Sequence, residues 1–309
     1  MRTPCDMALG ALAVTLLLIG GAGVARAQTI NEREGPLSFQ NQVRPGDDPV
    51  WSGRGEMSLW TAVFVGKPAG GNLVSLSPVG RGHYDIADGW GGHFVIPLSY
   101  VDVSGLSGPM DPGTTLIRFA NLTLGAHKRL RHEATSGTVG FDIALPTGWV
   151  PDDVDPEQQS AMRLAFATSA ATHGNRRLWL WAPERLSLVL RGTVSHRFAE
   201  AFDVFGEAGV APMIPVGDEG TDTDLFVEGT VGGAWVVPDL LRLGLSLSLA
   251  WLPTGSGDLL QTSLQLFGRI WLDNLFLALA FTMNLDEPAG FAFDDGGIWG
   301  VHFGVGSQF

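Results

Sequence analysis

Long stretches of this 309-residue chain alternate apolar residues with small or polar ones, and this period of two constrains the fold more than any other feature. In LRLGLSLSLAWL, residues 241–252, leucine or tryptophan occupies the odd positions, from 241 to 251. The even positions carry Arg242 and mostly small residues. Successive side chains of a β-strand point to opposite faces, so this segment is predicted to be a strand with one apolar face. TVGFDIAL (138–145) and NLFLALAFTMN (274–284) follow the same pattern.

The last residues, WGVHFGVGSQF (299–309), also alternate and finish on an aromatic side chain. This pattern, carried by Val301, Phe303, Val305 and Phe309, resembles the signal by which bacterial outer-membrane barrels are recognised for insertion. Ser307 departs from it, because an aromatic residue often stands two places before the end. The resemblance implies the barrel-assembly machinery as a partner and is silent on activity.

Residues 1–27 have the features of a cleaved secretory signal peptide. Arg2 lies close to the amino terminus, an apolar stretch runs from about residue 7 to 24, and Ala25 and Ala27 form a small-x-small site. The alternative is a single membrane-anchoring helix. Cleavage would remove Cys5, the single cysteine of the chain, so the mature protein is predicted to form no internal disulfide.

Composition separates this chain from ordinary soluble proteins. It contains 42 glycines and 10 tryptophans, and charged residues make up only 17%, against about a quarter in typical domains. Cleavage of the signal peptide changes the net charge from −13 to −14, which argues against nucleic acid as a partner.

Export and low charge, without an apolar run of 18 residues after the signal peptide, favour a closed β-barrel as the membrane-spanning structure. A secreted soluble β-sandwich would also alternate, but it does not explain the near-absence of charge on the apolar faces. The predicted fold class is therefore all-β, a transmembrane antiparallel β-barrel.

About twelve strands are predicted over residues 57–309, with ten or fourteen as alternatives, and residues 28–56 form an amino-terminal segment that is periplasmic or luminal. Outer-membrane barrels have short periplasmic turns and longer outer loops, and the predicted connections alternate in this way. The predicted strands are 57–66, 73–86, 91–102, 115–128, 135–146, 184–198, 203–213, 223–236, 239–252, 259–271, 274–284 and 297–309.

One helix is predicted, in the long outer loop between residues 146 and 183. Asp155 is a candidate cap, Pro156 suits the first helical position, and Gly174 can end the helix. Its apolar residues form no clean stripe. Two interpretations stay open, a helix folded over the outer mouth and a misassigned pair of strands.

No catalytic, cofactor or metal site is predicted. Ser195 and His196 are neighbours on a strand and point to opposite faces, so they cannot act as a nucleophile and its base. His83 and Asp85 share a face, but no nucleophile accompanies them at a recognisable spacing. The chain is therefore predicted not to be an enzyme, and an embedded hydrolase ranks third among its functions.

Three segments, ADGWG (87–91), NLTLGAHKRL (121–130) and GFDIALPTG (140–148), resemble hairpin motifs of outer-membrane barrels associated with phenol-degradation meta-pathways. Those barrels are related to barrels for hydrocarbon and fatty-acid uptake. The likeness covers about a fifth of the chain and departs from the pattern where about thirty residues separate ADGWG from NLTLG. It implies transport of small, rather apolar molecules and identifies no ligand-contacting residue.

The predicted function is that of a bacterial outer-membrane channel or transporter for passive passage of small solutes, apolar ones included. The alternative is a structural or surface-interaction barrel that acts through its extracellular loops. Outer-membrane lipid and lipopolysaccharide are the expected surroundings.

Five charged residues are predicted to line the lumen, namely Arg191, Glu207, Glu228, Arg242 and Arg269. The first three fall near the middle of consecutive strands, close enough for ion pairing. Counting back from the loop near residue 255 places Arg242 opposite Arg269, where a bound anion, a luminal carboxylate or water would have to offset their repulsion.

Overall fold

A computed structural model describes residues 55–66, 72–87, 89–104, 114–132, 134–198, 201–216, 222–237, 240–254, 259–272, 274–286, 289–290 and 297–309. The predicted signal peptide and residues 28–54 lie outside the described residues. The strands are β1 (Gly55–Gly66), β2 (Asn72–Ala87), β3 (Trp90–Ser104), β4 (Thr114–Phe119), β5 (Thr123–His132), β6 (Thr135–Ala144), β7 (Arg185–Phe198), β8 (Phe202–Pro215), β9 (Asp224–Val237), β10 (Leu241–Leu252), β11 (Leu259–Leu272), β12 (Leu275–Asn284) and β13 (Trp299–Gln308).

The strands form one antiparallel sheet that closes on itself. β1 pairs with β2 on one side and with β13 on the other, and apart from β4 and β5 every other strand pairs with its neighbours along the chain. β4 and β5 both pair with β3, so together they make one spanning strand. The result is a closed barrel of twelve spanning strands, which confirms the predicted fold class and strand number.

The fourth spanning strand differs from the prediction, which treated 115–128 as one uninterrupted strand. The ladder is broken at residues 120–122, between β4 and β5. Ile117 and Phe119 face outward on one side of the break, with Leu124 and Leu130 outward on the other. The outward positions thus change from odd to even numbers, because three residues leave the ladder.

The outer face is apolar and the inner face is polar. On β10, Leu243, Leu245 and Leu247 are 46%, 45% and 44% exposed, whereas Arg242 is 1% exposed. Exposure of such a surface to water is unfavourable, so the outer face is suited to contact the hydrocarbon of a membrane. The assembly-signal residues follow this pattern, since Phe303 and Phe309 are 50% and 59% exposed while His302, next to Phe303, is buried.

The predicted helix exists, as α1 (Pro156–Thr172), with Pro156 in its first turn. Asp155 precedes it but makes no side-chain capping hydrogen bond, and the helix ends at Thr172, before Gly174. No helix among the described residues is long and apolar enough to cross a membrane. The helix packs on inward-facing side chains near the outer ends of β1, β2 and β3, so the interpretation as a misassigned pair of strands was wrong and the predicted helix is confirmed.

Candidate functional site

The segment between β6 and β7, residues 145–184, enters the barrel, and we call it the lumen loop. Its helix packs on inward-facing side chains of the wall. Ser99 Oγ donates to the carbonyl oxygen of Ala165 at 3.1 Å and lies 2.7 Å from Ser169 Oγ. On β12, Asn284 Nδ2 donates to the carbonyl oxygen of Ala171 at 2.9 Å. The helix is therefore fixed to at least two strands from within.

After the helix, two adjacent arginines of the lumen loop meet two carboxylates of the wall, and we call these four residues the latch. Arg176 Nη2 donates to Glu207 Oε2 and Arg177 Nη2 donates to Glu207 Oε1, each at 3.2 Å. The backbone N–H of Arg177 donates to Glu228 Oε2 at 2.7 Å. Burial opposes the charge of Arg177, but Glu207 and Glu228 raise its pKa above the ordinary value. The latch thus joins the lumen loop to β8 through two ion pairs and to β9 through a backbone hydrogen bond.

Asn121 fixes the base of the lumen loop, from the break between β4 and β5. Its side chain is fully buried, and its amide nitrogen donates to the carbonyl oxygens of Trp179 at 2.9 Å and Ala182 at 2.5 Å. Its amide oxygen accepts from the backbone N–H of Gly148 at 3.0 Å. The three residues that leave the ladder therefore exchange strand pairing for contacts with the lumen loop.

Apolar packing also holds the lumen loop in place. Trp179 meets Phe226 of β9 edge to face, with ring centroids 5.7 Å apart. Met162 and Phe166 of α1 are each 1% exposed and belong to the same cluster. Much of the apolar surface inside the barrel therefore lies between the lumen loop and the wall.

A small cavity of about 50 Å³ lies between the end of the lumen loop and the wall. His173 stacks on Trp181 at 5.3 Å and meets His302 edge to face at 4.9 Å. Burial, helped by the positive field of nearby arginines, lowers the pKa of His173 well below its usual value, so this imidazole is neutral at pH 7. The cavity is lined by Trp60, Val79, Arg81, His173, Arg176, Arg177, Leu180, Trp181, Gln265 and His302.

Two further groups of charged side chains lie on the inner wall at the side of β2 to β7. Asp142 binds Arg191 Nε at 2.8 Å and His93 Nε2 at 3.0 Å. Nearer the short turns, Asp85 binds Arg129 at 2.6 Å and lies 3.6 Å from His127. His83 and Asp85 do share the inner face, and Ser195 and His196 have separate partners on β6, Ser136 Oγ and Thr135 Oγ1.

All five predicted lumen-lining residues are buried on the inner face of the barrel. Glu207 and Glu228 are brought together by the latch, and Arg191 pairs with Asp142. The register places Arg242 directly opposite Arg269, as predicted. Arg242 Nη1 lies 3.4 Å from Asp203 Oδ2, and Arg269 lies over the ring of Phe276 at 4.0 Å.

Sequence reasoning missed Arg176, Arg177 and Asn121. A signal for Asn121 was present, because the apolar positions change parity between Phe119 and Leu124. For the two arginines the signal was weaker. Their neighbours Trp179 and Trp181 are unusual in an exposed loop, and the inward Glu207 and Glu228 require cations from elsewhere.

The wall beside β4 is closed by a loop segment. β6 ends at Ala144, which pairs with Thr123 of β5, and among the strands described here β4 pairs with β3 alone. At the base of this interval, Thr147 Oγ1 donates to the carbonyl oxygen of Ala120 at 2.7 Å. The outer half of the lumen therefore borders the membrane here through the first residues of the lumen loop.

No family model matches the chain, and no curated protein matches it. Among solved structures, the chain is similar to the COG4313 outer membrane channel from Pseudomonas putida F1, with a TM-score of 0.60, 15% identity, and coverage of 87% of this chain and all of that one. A NanC porin structure follows at 0.47, with 6% identity over 82% of this chain and 98% of that one. A KdgM porin gives 0.40, with 8% identity and the same coverage of both chains.

At 15% identity, the likeness to the Pseudomonas putida channel is evidence for the fold alone. Together with the apolar outer face it gives the chain the fold of a bacterial outer-membrane β-barrel, as the sequence predicted.

Proposed function

We propose that this protein is an outer-membrane channel for passive passage of small solutes and that the lumen loop gates it. The observation that carries the proposal is the ionic latch, in which Arg176 and Arg177 share the two oxygens of Glu207. Ion pairs and van der Waals contacts can be broken and remade without unfolding the barrel, whose wall is held by its own ladder. A segment held in this way inside a lumen is suited to move aside.

The placement of the lumen loop favours a channel over a barrel that acts through its outer loops. Its helix binds inward-facing Ser99 and Asn284, so the lumen loop packs on the barrel wall from inside. The name of the Pseudomonas putida channel, the structure with a TM-score of 0.60, agrees with the same role.

For the solute, we propose small molecules with an apolar body. The path past the lumen loop would pass Met162, Phe166 and Trp179, which are buried against the wall in the closed arrangement. We propose the interval beside β4 as an exit toward the membrane for such molecules, because loop residues and not a described strand close it.

The test is conductance of the full-length barrel in planar bilayers, together with swelling of liposomes that contain it. Glu207→Gln combined with Glu228→Gln removes the anionic half of the latch, and we expect more frequent or longer openings than in the wild type. Asp224→Asn is the matched control, because it removes a carboxylate that binds Arg185 near the barrel rim at 2.9 Å and does not touch the latch. Equal conductance and equal solute passage in all three proteins would contradict gating by the latch.

A further inference from the structure

One arginine at the short-turn end of the lumen is buried against aromatic rings. The guanidinium carbon of Arg269 lies 4.0 Å from the ring centroid of Phe276, 5.7 Å from that of Trp271 and 5.8 Å from that of Trp60. We call these three rings the aromatic box. Arg269 is 5% exposed, so its charge is stabilised by ring faces and not by water.

Two donors in this box lack an acceptor. Arg269 Nη1 and Trp271 Nε1 are both buried, and neither has a hydrogen-bond partner among the described residues. Guanidinium and indole N–H groups can only donate. A buried donor without an acceptor is costly, and its presence in a native site calls for an explanation.

The charge of Arg269 is also not neutralised locally. Its cross-strand partner Arg242 is another cation, and that residue has the carboxylate of Asp203 beside it. No ion pair joins Arg269 to a carboxylate in the part of the chain that the structure describes. Glu56 acts on Arg269 electrostatically, but its Oε2 accepts a hydrogen bond from Gln308 Nε2 at 3.3 Å.

We propose that Arg269 and Trp271 form a binding site for one small monovalent anion, a halide or the carboxylate group of a small organic molecule. An anion offers acceptors to both donors and supplies the missing negative charge. Arg269 and Trp271 are two residues apart on the inner face of β11, and the guanidinium carbon lies 5.7 Å from the ring centroid of Trp271, so both donors belong to the same part of the wall. Where the ligand is a transported carboxylate, the inference rests on the proposed channel function.

The rings decide which carboxylates bind best. Trp60 and Phe276 give the site apolar walls, so a carboxylate with an apolar body gains contact that acetate does not. Benzoate is the probe that follows from this chemistry, and benzamide is its uncharged counterpart of nearly equal shape.

The first experiment locates the ion. Crystals of the full-length barrel soaked in sodium bromide are expected to show an anomalous peak within hydrogen-bonding distance of Arg269 Nη1 and Trp271 Nε1. A second soak that adds benzoate should displace the peak if carboxylate and halide share the site. A peak that benzoate leaves unchanged assigns the site to halides alone. The absence of any peak, together with no benzoate binding by calorimetry, overturns the proposal.

The second experiment measures the contribution of each donor by calorimetric titration with benzoate in detergent. Trp271→Phe keeps the ring and removes one N–H, and Arg269→Gln removes the charge; each is expected to weaken binding about tenfold or more. The matched controls are Trp251→Phe, at a lipid-facing tryptophan, and Arg163→Gln, on the exposed side of α1; both should bind as the wild type does. Equal weakening in the controls, or binding of benzamide as tight as that of benzoate, contradicts the site.

A variant that is expected to strengthen binding distinguishes a lost site from a loss of folding. Glu56→Gln removes the carboxylate that acts on Arg269, so it should bind benzoate more tightly than the wild type, and unchanged or weaker binding counts against the proposal. The binding assays do not depend on conduction. A protein that passes solutes but binds no anion refutes this inference alone, whereas one that binds an anion and conducts nothing refutes the proposed function alone.

Discussion

Arg242 and Arg269 are direct cross-strand partners on β10 and β11, yet their guanidinium groups have different surroundings. Arg242 lies beside the carboxylate of Asp203 and over the ring of Phe205, whereas Arg269 lies over Phe276. Like charges placed opposite each other destabilise a sheet. Here the two guanidinium groups interact with different side chains, which offsets the repulsion between them. The sheet therefore accommodates two arginines in directly opposite positions.

Asp203 is therefore expected to be the most sensitive carboxylate at this end of the barrel. It is 1% exposed and binds Arg197 through both oxygens, at 2.7 and 3.0 Å, in addition to Arg242. Asp203→Asn removes the charge of a buried carboxylate that contacts both arginines, and we expect a loss of about 3 kcal/mol in the free energy of unfolding. Chemical denaturation in detergent measures it.

The matched control for this prediction is Asp224→Asn, since Asp224 binds one arginine, Arg185, and both partners are about a fifth exposed. Its effect should be below about 1 kcal/mol. Equal losses in the two variants would show that burial and double pairing do not matter here.

The latch predicts energetic coupling between the lumen loop and the wall. Arg177 and Glu207 are 3.2 Å apart and both buried, so Arg177→Gln and Glu207→Gln should be non-additive, with a coupling energy of about 1–3 kcal/mol. The measurement is a double-mutant cycle on thermal or denaturant stability. Arg197→Gln with Glu207→Gln provides the comparison, because Arg197 pairs with Asp203 at the short-turn end. Additive effects of Arg177→Gln and Glu207→Gln would show that the two residues are not energetically coupled.

Asn121 predicts a different phenotype, a loosened lumen loop in an intact barrel. Its amide group bonds the carbonyl oxygens of Trp179 and Ala182 and the N–H of Gly148. Asn121→Ala leaves these buried backbone groups without partners, at a cost of about 1–3 kcal/mol each. We expect trypsin to cleave the variant after Arg176 or Arg177 much faster than the wild type, while heat modifiability on gels is retained.

The control for this experiment is Asn72→Ala, at an exposed position where β2 begins. It should be cleaved at the wild-type rate. Resistance of Asn121→Ala to trypsin would mean that apolar packing alone holds the lumen loop.

The barrel could be predicted from the sequence because its determinants are local. Alternation assigns the strands, and counting back from the loop near residue 255 placed Arg242 opposite Arg269. A sheet that must present an apolar face to lipid tolerates no slip of one residue, since every side chain would change face.

The lumen loop could not be placed by the same reasoning. Its helix shows no apolar stripe, because residues 165–172 are buried around most of the circumference whereas the first turn is exposed. The contacts that hold it, such as Asn121 with Trp179 and Arg177 with Glu207, join residues far apart in sequence, and local patterns do not report such pairs.

The predicted assembly signal remains to be tested, and the structure shows why Phe309 is a good position for it. Its side chain is 59% exposed and follows β13, the strand that closes the barrel against β1. Deletion of Phe309 and Phe309→Asp should each lower the amount of heat-modifiable barrel in the outer membrane, while export to the periplasm continues.

Phe198→Asp is the matched control, because Phe198 is 53% exposed at the same end of the barrel, on β7. A charge near the membrane interface costs a barrel only about 0–1 kcal/mol, so the control should assemble, and equal defects in both substitutions would reduce the role of Phe309 to lipid contact.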